Sequence, residues 1–498
     1  MVKKSLLAVM ILIGALGVLI AVLIVRTLSF GAASSNSDVT LPPVPAFDDM
    51  TIASRLTEAI QIRTITVTAG DPRPGQEGPW LEFHDFLERS YPEFHARVSK
   101  ELVADYTLLY TWPGSDPELA PILLMAHQDV VPVNIGTEGD WDAHPFSGEV
   151  KDGYVYGRGT LDDKTSLITL LEAAEALMKD GFTPKRTLIF MFGHDEEVSG
   201  SGAQAGVARL KSRGISPDMV LDEGFMIVDP FPLTGKPVGM IGIAEKGYLT
   251  IRITSEASGG HSSVPPRNSA NVQLAKALVA LDETQMPADF SKPPLSDMIA
   301  ATASDMPFMQ RMAFANLWLF EGMVESEFAK SGESNAMIRT TTAPTMLAGS
   351  IKENVLPQKA TALVNFRVHP NDTVDKVLRH VRKVVSEFDG LSADLYEAGG
   401  ISSEASPVSA TDNRAYKILA SVSRDASGGA PVAPALVLGA TDSRWTTEIA
   451  DNVYRFAPSV IDIADLSGAH GTNERIRLDN LSRMARGYAQ IMKAMASE

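Results

Sequence analysis

Four strand-like runs, each ending in a cluster of acidic, amide or histidine side chains, constrain this chain more than any other feature. Residues 121–125 lead into His127-Gln128-Asp129, and residues 154–159 into Asp162-Asp163-Lys164. Residues 187–192 lead into Asp195-Glu196-Glu197, and residues 218–221 into Asp222-Glu223-Gly224. Between them, Leu167, Leu170, Leu171, Ala174, Leu177 and Met178 recur at helical spacing. Strand, helix, strand, helix predicts a doubly wound α/β domain with a mixed sheet. In such a sheet the carboxyl ends of the strands line the ligand crevice. The four polar clusters are therefore expected to converge on one site, although they lie far apart in the chain.

The pattern changes near Gly247. Residues 248–254 alternate with period two, as a sheet with one solvated face does, and further alternating runs follow at 343–350 and 360–368, with a helix at 374–388. This predicts a smaller α+β domain inserted into the first. After Ala410 the α/β pattern returns, with a strand at 435–438. The expected division is an N-terminal membrane anchor or signal segment (1–30), a linker (31–47), the catalytic domain in two parts (48–247 and 402–498), and the inserted domain (248–401). No internal repeat of 20–50 residues is visible.

The N-terminus supports two readings. Lys3 and Lys4 precede an uncharged stretch from Ser5 to Val25, followed by Arg26. As a helix rising 1.5 Å per residue, that stretch spans roughly the ~30 Å hydrocarbon core of a bilayer. The lysines favour a cytoplasmic N-terminus, with the bulk of the chain across the membrane. The other reading is a cleaved signal peptide with Gly31-Ala32-Ala33 at the cut, giving a secreted or periplasmic protein. Residues 34–46, rich in Ser, Asn and Pro, read as a linker out of the membrane.

Composition narrows the chemistry. The 44 basic against 61 acidic side chains give a net charge of −17, which repels polyanions and argues against nucleic acid as a partner. The chain contains no cysteine, so disulfides, thiolate nucleophiles and Cys-ligated metal are all excluded. Any metal must be held by His, Asp and Glu. So many carboxylates in one crevice would repel, and some would stay protonated. One divalent cation or a pair relieves this, because a carboxylate can bridge two ions ~3.5–4 Å apart. Singly, each motif has a plainer reading: His-x-Asp as a structural pair, Glu-Glu as a solvated face, Asp-Asp-Lys as a helix start. The ordered set, each member at a strand end, favours the metal. Two further histidines, in Gly259-Gly260-His261-Ser262-Ser263 and Gly468-Ala469-His470-Gly471, sit in glycine contexts that allow close approach to a ligand.

Taken in order, residues 127–132, 157–164, 195–197, 260–263 and 470–471 resemble the M20 metallopeptidase family. Residues 335–341, 354–357 and 470–476 are most similar to its carboxypeptidase S and N-fatty-acyl-amino-acid synthase/hydrolase branch. The resemblance implies two zinc ions per subunit, with cobalt or manganese suited to the same donors. His127 would bind one ion and His470 the other, with Asp162 bridging and Glu197 completing the His470 site. For the last ligand, beside His127, the resemblance implies Asp222, with Glu223 as the alternative. Asp129 would orient the His127 ring. Glu196 would be the general base, and the inserted domain would be a lid or dimerisation unit whose His261, from a partner subunit of a homodimer, would stabilise the oxyanion. Arg367 would grip the substrate carboxylate, with Asn354 nearby. A cis peptide between Asp162 and Asp163 is also implied.

The expected activity is therefore hydrolysis of an amide beside a free carboxylate, in a small peptide or N-acyl amino acid. Within that activity, carboxypeptidase and acyl-amino-acid deacylase or synthase stay open. An inactive membrane-anchored binding protein is the reading from another class, and a missing ligand or base would mark it. None is missing. Residues 306–323, rich in Met and aromatics, suit core packing or dimer contact, with an acyl-chain pocket as the alternative. His84, His95, His144, His194, His369 and His380 read as structural, with a place behind the acidic cluster as the alternative for His194.

Overall fold

The computed structural model describes residues 2–31, 39–396 and 402–497. Ala32 and Ala33 of the candidate cleavage sequence, residues 34–38 of the expected linker and the boundary at residue 401 lie outside the described residues.

The larger body is built on an eight-stranded mixed sheet. From one edge its order is Ser99–Val103, Thr107–Trp112, Leu188–Gly193, Ile122–His127, Met219–Val228, Val453–Ile461, Val238–Glu245 and Val432–Val437. Ile122–His127 pairs in parallel with both neighbours, whereas the first two strands join antiparallel. Every residue of Ile122–His127 and Leu188–Gly193 is buried, which explains why these runs are continuously apolar rather than alternating. Strand alternation splits them between two layers. Leu124 and Phe190 pack in the cluster that includes Leu167 and Leu171 of helix Lys164–Lys179 and Tyr488 and Ile491 of helix Asp479–Ala496. Leu123, Met125, Ile189 and Met191 pack against Ala203, Val207 and Leu210 of helix Ser201–Ser212. With helices on both faces, the polar residues that follow each strand can meet only at the sheet's carboxyl edge.

The smaller body is an antiparallel sheet in the order Thr341–Ala348, Lys359–Val368, Gly247–Glu256, Leu391–Leu395. Along Lys359–Val368, buried residues alternate with more exposed ones. Its buried face packs on helices Ala270–Glu283 and Val374–Val385.

The structure departs from the expected division in two places. Residues 295–338, assigned with the inserted domain, form helices that pack on the larger body. Leu295, Met298, Phe314, Phe328 and Ile338 share its apolar cluster, and helix Leu295–Thr302 lies along the edge strand Val432–Val437. Covering an exposed edge strand gives this excursion its physical reason. The second departure is the linker. Val39, Leu41, Val44 and Phe47 lie against the same cluster, Val39 N–H donates to Ser421 Oγ (3.0 Å), and Pro43 O accepts from Lys493 Nζ (2.8 Å). Asp48 then caps helix Asp49–Gln61 by accepting from Thr51 N–H (2.8 Å). The prolines keep this segment extended, and its apolar residues find the core.

Candidate metal centre

All four strand-end clusters, joined by His470, close into one cage. His127 ends its strand with its side chain buried, and its Nε2 lies 2.8 Å from Asp162 Oδ1. The other oxygen of Asp162 lies 3.0 Å from His470 Nε2. That nitrogen is also 2.9 Å from Glu197 Oε2. One carboxylate thus spans two imidazoles. The Asp162–Asp163 peptide is cis, as the resemblance implied.

Asp222, the expected last ligand, faces elsewhere. Its Oδ2 accepts from Ser443 N–H (2.8 Å), and Glu223 places Oε1 3.4 Å from His127 Nε2 instead. Glu223, the alternative for that position, is the acid that lies beside His127. Both acids lie inside strand Met219–Val228, where successive side chains point to opposite faces, so only one of them can face His127.

Asp129 organises the site from beneath. Its backbone carbonyl is 2.9 Å from His127 Nδ1, and its carboxylate lies 3.4 Å from the same atom. That carboxylate also accepts from Thr66 Oγ1 (2.7 Å) and from the backbone N–H groups of Glu196 (3.1 Å) and Glu197 (3.2 Å). A single side chain therefore fixes both the imidazole and the loop bearing the two glutamates. Asp195, next to them, turns away and caps helix Ser201–Ser212, accepting from Ser201 N–H (3.0 Å) and Gly202 N–H (2.9 Å). Lys164 anchors its helix by donating to Ala59 O (2.8 Å) and Ile62 O (2.6 Å). His84 pairs with Gln128 (2.8 Å) and His194 with Thr107 (2.7 Å), both structural contacts.

The electrostatics call for positive charge. Burial, and then neighbouring acids, push Glu196, Glu223 and Asp163 well above the usual carboxylate range, and burial raises Glu197. His127 is driven upward although burial opposes it, because Glu223, Asp129 and Asp162 surround it. Hydrogen bonds donated to the Asp162 and Glu197 carboxylates raise His470 to about 10. Glu197 Oε1 is buried without a hydrogen-bond partner. Donor atoms of His127, Glu196 and Glu223, and again of His127, Asp162 and Glu197, lie within 4.8 Å of one another. This donor set fits divalent cations: only His and carboxylate ligands, in excess negative charge, with an orphaned oxygen facing inward.

The smaller body supplies other expected residues but does not bring them to the cage. His261 and Asn354 meet through the short pairing of Gly260–His261 with Val355–Leu356, and Ser262 N–H donates to Asn354 O (3.2 Å). His261 is exposed, with Nδ1 on Ser263 Oγ (2.8 Å), and among the described residues no hydrogen bond or ion pair links it to the cage. Asn354 Oδ1 is buried without a partner. Arg367 stacks on Tyr248, its guanidinium 5.1 Å from the ring centroid, and no ion pair among the described residues involves it.

Three residues with a bearing on the site escaped the sequence reading. Glu474 lies in the His470 motif but received no role. It is fully buried against Arg158 and accepts from the N–H groups of Gly159 (3.0 Å), Leu161 (2.8 Å) and Asp162 (3.2 Å). Arg444 and Asp442 belong to Thr441-Asp442-Ser443-Arg444, a polar tetrad after the strand Val432–Val437. Burial lowers the pKa of Arg367, and the charge of Arg444 lowers it further, which couples the two guanidiniums across the two bodies. Both Asp442 oxygens are buried without a hydrogen-bond partner. They fill the space left by Gly193 and Gly200, where an added Cβ would come within 2.2 and 2.3 Å of them. The signal for both was a charged tetrad following a strand, the same signal that marked the other clusters.

The chain is similar to known proteins over most of its length. The family described as peptidase family M20/M25/M40 matches residues 123–494. Carboxypeptidase S of Saccharomyces cerevisiae is 33% identical, covering 90% of this chain and 84% of its own. The N-fatty-acyl-amino acid synthase/hydrolase of Homo sapiens is 37% identical, covering 84% of this chain and 82% of its own. An M20 family metallo-carboxypeptidase from Sulfolobus solfataricus shares the fold, with a TM-score of 0.61 and 17% identity over 89% of this chain and 98% of that one.

Proposed function

This chain belongs to peptidase family M20/M25/M40, and from that premise we propose that it hydrolyses an amide bond beside a free carboxylate, in a peptide or an N-acyl amino acid. The observation that carries the reading is Glu196 beside a cage in which one carboxylate, Asp162, spans His127 and His470. His127, Asp162 and Glu223 would hold one cation, and His470, Asp162 and Glu197 the other. Zinc is the expected metal, and cobalt or manganese would accept the same donors. When bound, the cation pair supplies a water that ionises near neutral pH and an electrophile for the scissile carbonyl.

The chain's own residues do the rest. No hydrogen bond among the described residues occupies the Glu196 carboxylate, which is therefore free to accept a proton, and burial raises its pKa well above the usual carboxylate range. Glu196 removes the proton of the attacking water and delivers it to the departing amine. Glu197 does not compete for this role, because His470 and the cation engage it. Arg367 and Arg444 receive the substrate carboxylate, for which an arginine fork is shaped. His261 of a second copy stabilises the developing oxyanion. Support for the second copy is the exposure of His261 within its own chain and the free edge of strand Thr341–Ala348, with Met346 and Leu347 in solvent.

If Glu223 rather than Asp222 is a ligand, Glu223→Gln should fall from two zinc equivalents toward one by atomic emission, with Asp222→Asn keeping two. The reverse result would restore Asp222 to the site.

The first helix, Val2–Ser29, is long and apolar enough to cross a membrane, and Lys3 and Lys4 at its start support an anchor with the hydrolase on the non-cytoplasmic side, a cleaved signal segment being the other reading. The names of the relatives point to both peptide and N-acyl amino acid substrates, and for the latter to the reverse condensation as well. Paired panels of dipeptides and N-acyl amino acids, each with a free or an amidated carboxyl, test the reading. Turnover is expected only with the free carboxylate. Arg367→Ala should raise KM roughly 10- to 100-fold, the worth of a charge-assisted hydrogen bond, with kcat far less changed. Equal turnover of amidated substrates would overturn the proposal.

A further inference from the structure

Helices Phe308–Ala315 and Leu317–Phe328 turn Phe308, Met309, Trp318, Leu319 and Met323 outward at 47–65% exposure, while Phe314, Val324 and Phe328 face the core. A contiguous apolar face of this kind marks an interaction surface. Its position says what covers it. The first helix meets the body at this point: Arg26 Nε donates to Ala315 O (3.1 Å), Asn316 Nδ2 to Leu23 O (3.4 Å) and Arg311 to Leu28 O (3.2 Å). Thr27 is fully buried in the junction, whereas the apolar helix before it is exposed. From Ser5 to Val22 the helix rises about 27 Å, close to the thickness of the hydrocarbon core. A bilayer around it therefore ends level with Leu23–Arg26, the level at which Asn316 stands and helix Leu317–Phe328 begins.

We propose that the Phe308–Met323 face lies in the lipid interface, as a second, monotopic contact with the bilayer that the first helix crosses. The inference rests on the anchor reading above. Trp318 takes the place that tryptophan favours at a membrane–water boundary. Glu321 and Glu327, exposed beside the apolar residues, stop penetration at the headgroups. Arg26, exposed at the same level, would meet lipid phosphates.

The test uses the full chain, reconstituted in phosphatidylcholine–phosphatidylglycerol vesicles carrying doxyl groups at carbon 5 or carbon 12 of the acyl chain. Of the five tryptophans, Trp80, Trp112 and Trp141 are buried and Trp445 is partly so, which leaves Trp318 as the one open to lipid. The carbon-5 label is expected to quench wild-type emission more than the carbon-12 label, and Trp318→Phe should abolish the quenched fraction. Hydrolysis by that variant should stay at the wild-type rate, which shows that it folds. Equal quenching of wild type and Trp318→Phe, in chains that float with the vesicles after an alkaline wash, overturns the proposal. So does a crosslink that seats a second copy on Trp318 with no lipid quenching. A chain that fails to float overturns the anchor reading, and this inference with it.

Discussion

Glu196→Gln is expected to lower kcat by about 10²- to 10⁴-fold, the usual contribution of a positioned general base, while the variant retains its metal. The amide is close in size to the carboxylate and leaves the Asp129 contact to the Glu196 backbone intact, so the cage should keep its shape. What disappears is the lone pair that accepts a proton. KM for a free-carboxylate substrate should change little, because its carboxylate binds elsewhere. Stopped assays with atomic emission on the same sample check both halves. Wild-type turnover, or loss of metal together with turnover, would remove Glu196 from its role. The same variant also tests the second copy. If His261 acts across subunits, mixing Glu196→Gln with His261→Ala chains creates one intact site in each mixed dimer and restores activity to about a quarter of wild type. Two lesions within one subunit's site would restore nothing.

Glu474→Ala is expected to cost about 3–5 kcal/mol of stability, because Arg158 would be left buried without its counter-charge. The loss goes further than the ion pair. Glu474 gathers the backbone N–H groups of Gly159, Leu161 and Asp162, its own carbonyl accepts from Gly157 N–H (2.9 Å), and Arg158 donates onward to Gly471 O (3.1 Å). These contacts tie the loop that presents Asp162 to the loop that presents His470. Weakened metal binding should therefore accompany the fall in the denaturation midpoint. Glu474→Gln, which keeps an acceptor oxygen, should lose less of both. An Ala variant with an unchanged midpoint and both metal equivalents would show that the two loops are held by something else.

Much of the site was legible in the sequence because the chemistry and the fold use the same positions. His127, Asp162, Glu196 and Glu197 each follow a strand-like run, and strand ends in a wound sheet converge whatever lies between them. The phase of the fourth strand was not legible. The apolar run stops at Leu221, so the acids after it read as a loop, where either could face the metal. The strand continues to Val228, and its alternation sends Asp222 toward Ser443 and Glu223 toward His127. The helices between Leu295 and Ile338 were misassigned for a different reason: contiguity in sequence says nothing about which sheet edge needs cover. The partnership of Glu474 with Arg158 spans 316 residues and leaves no local trace, since a buried ion pair reads in sequence like two surface charges.

The extended segment from Val39 to Phe47, seated on the core and pinned at Ser421 and Lys493, changes how the hydrolase would stand on its membrane. A loose stalk would let the head tumble and meet substrate from any direction. With the stalk fastened to the head, and the helix before it fastened again at Ala315 and Asn316, the head has little freedom to swivel. If the first helix is the anchor proposed above, the mouth of the crevice would keep one bearing relative to the bilayer plane, and lengthening the stalk with flexible residues would not by itself set the head free.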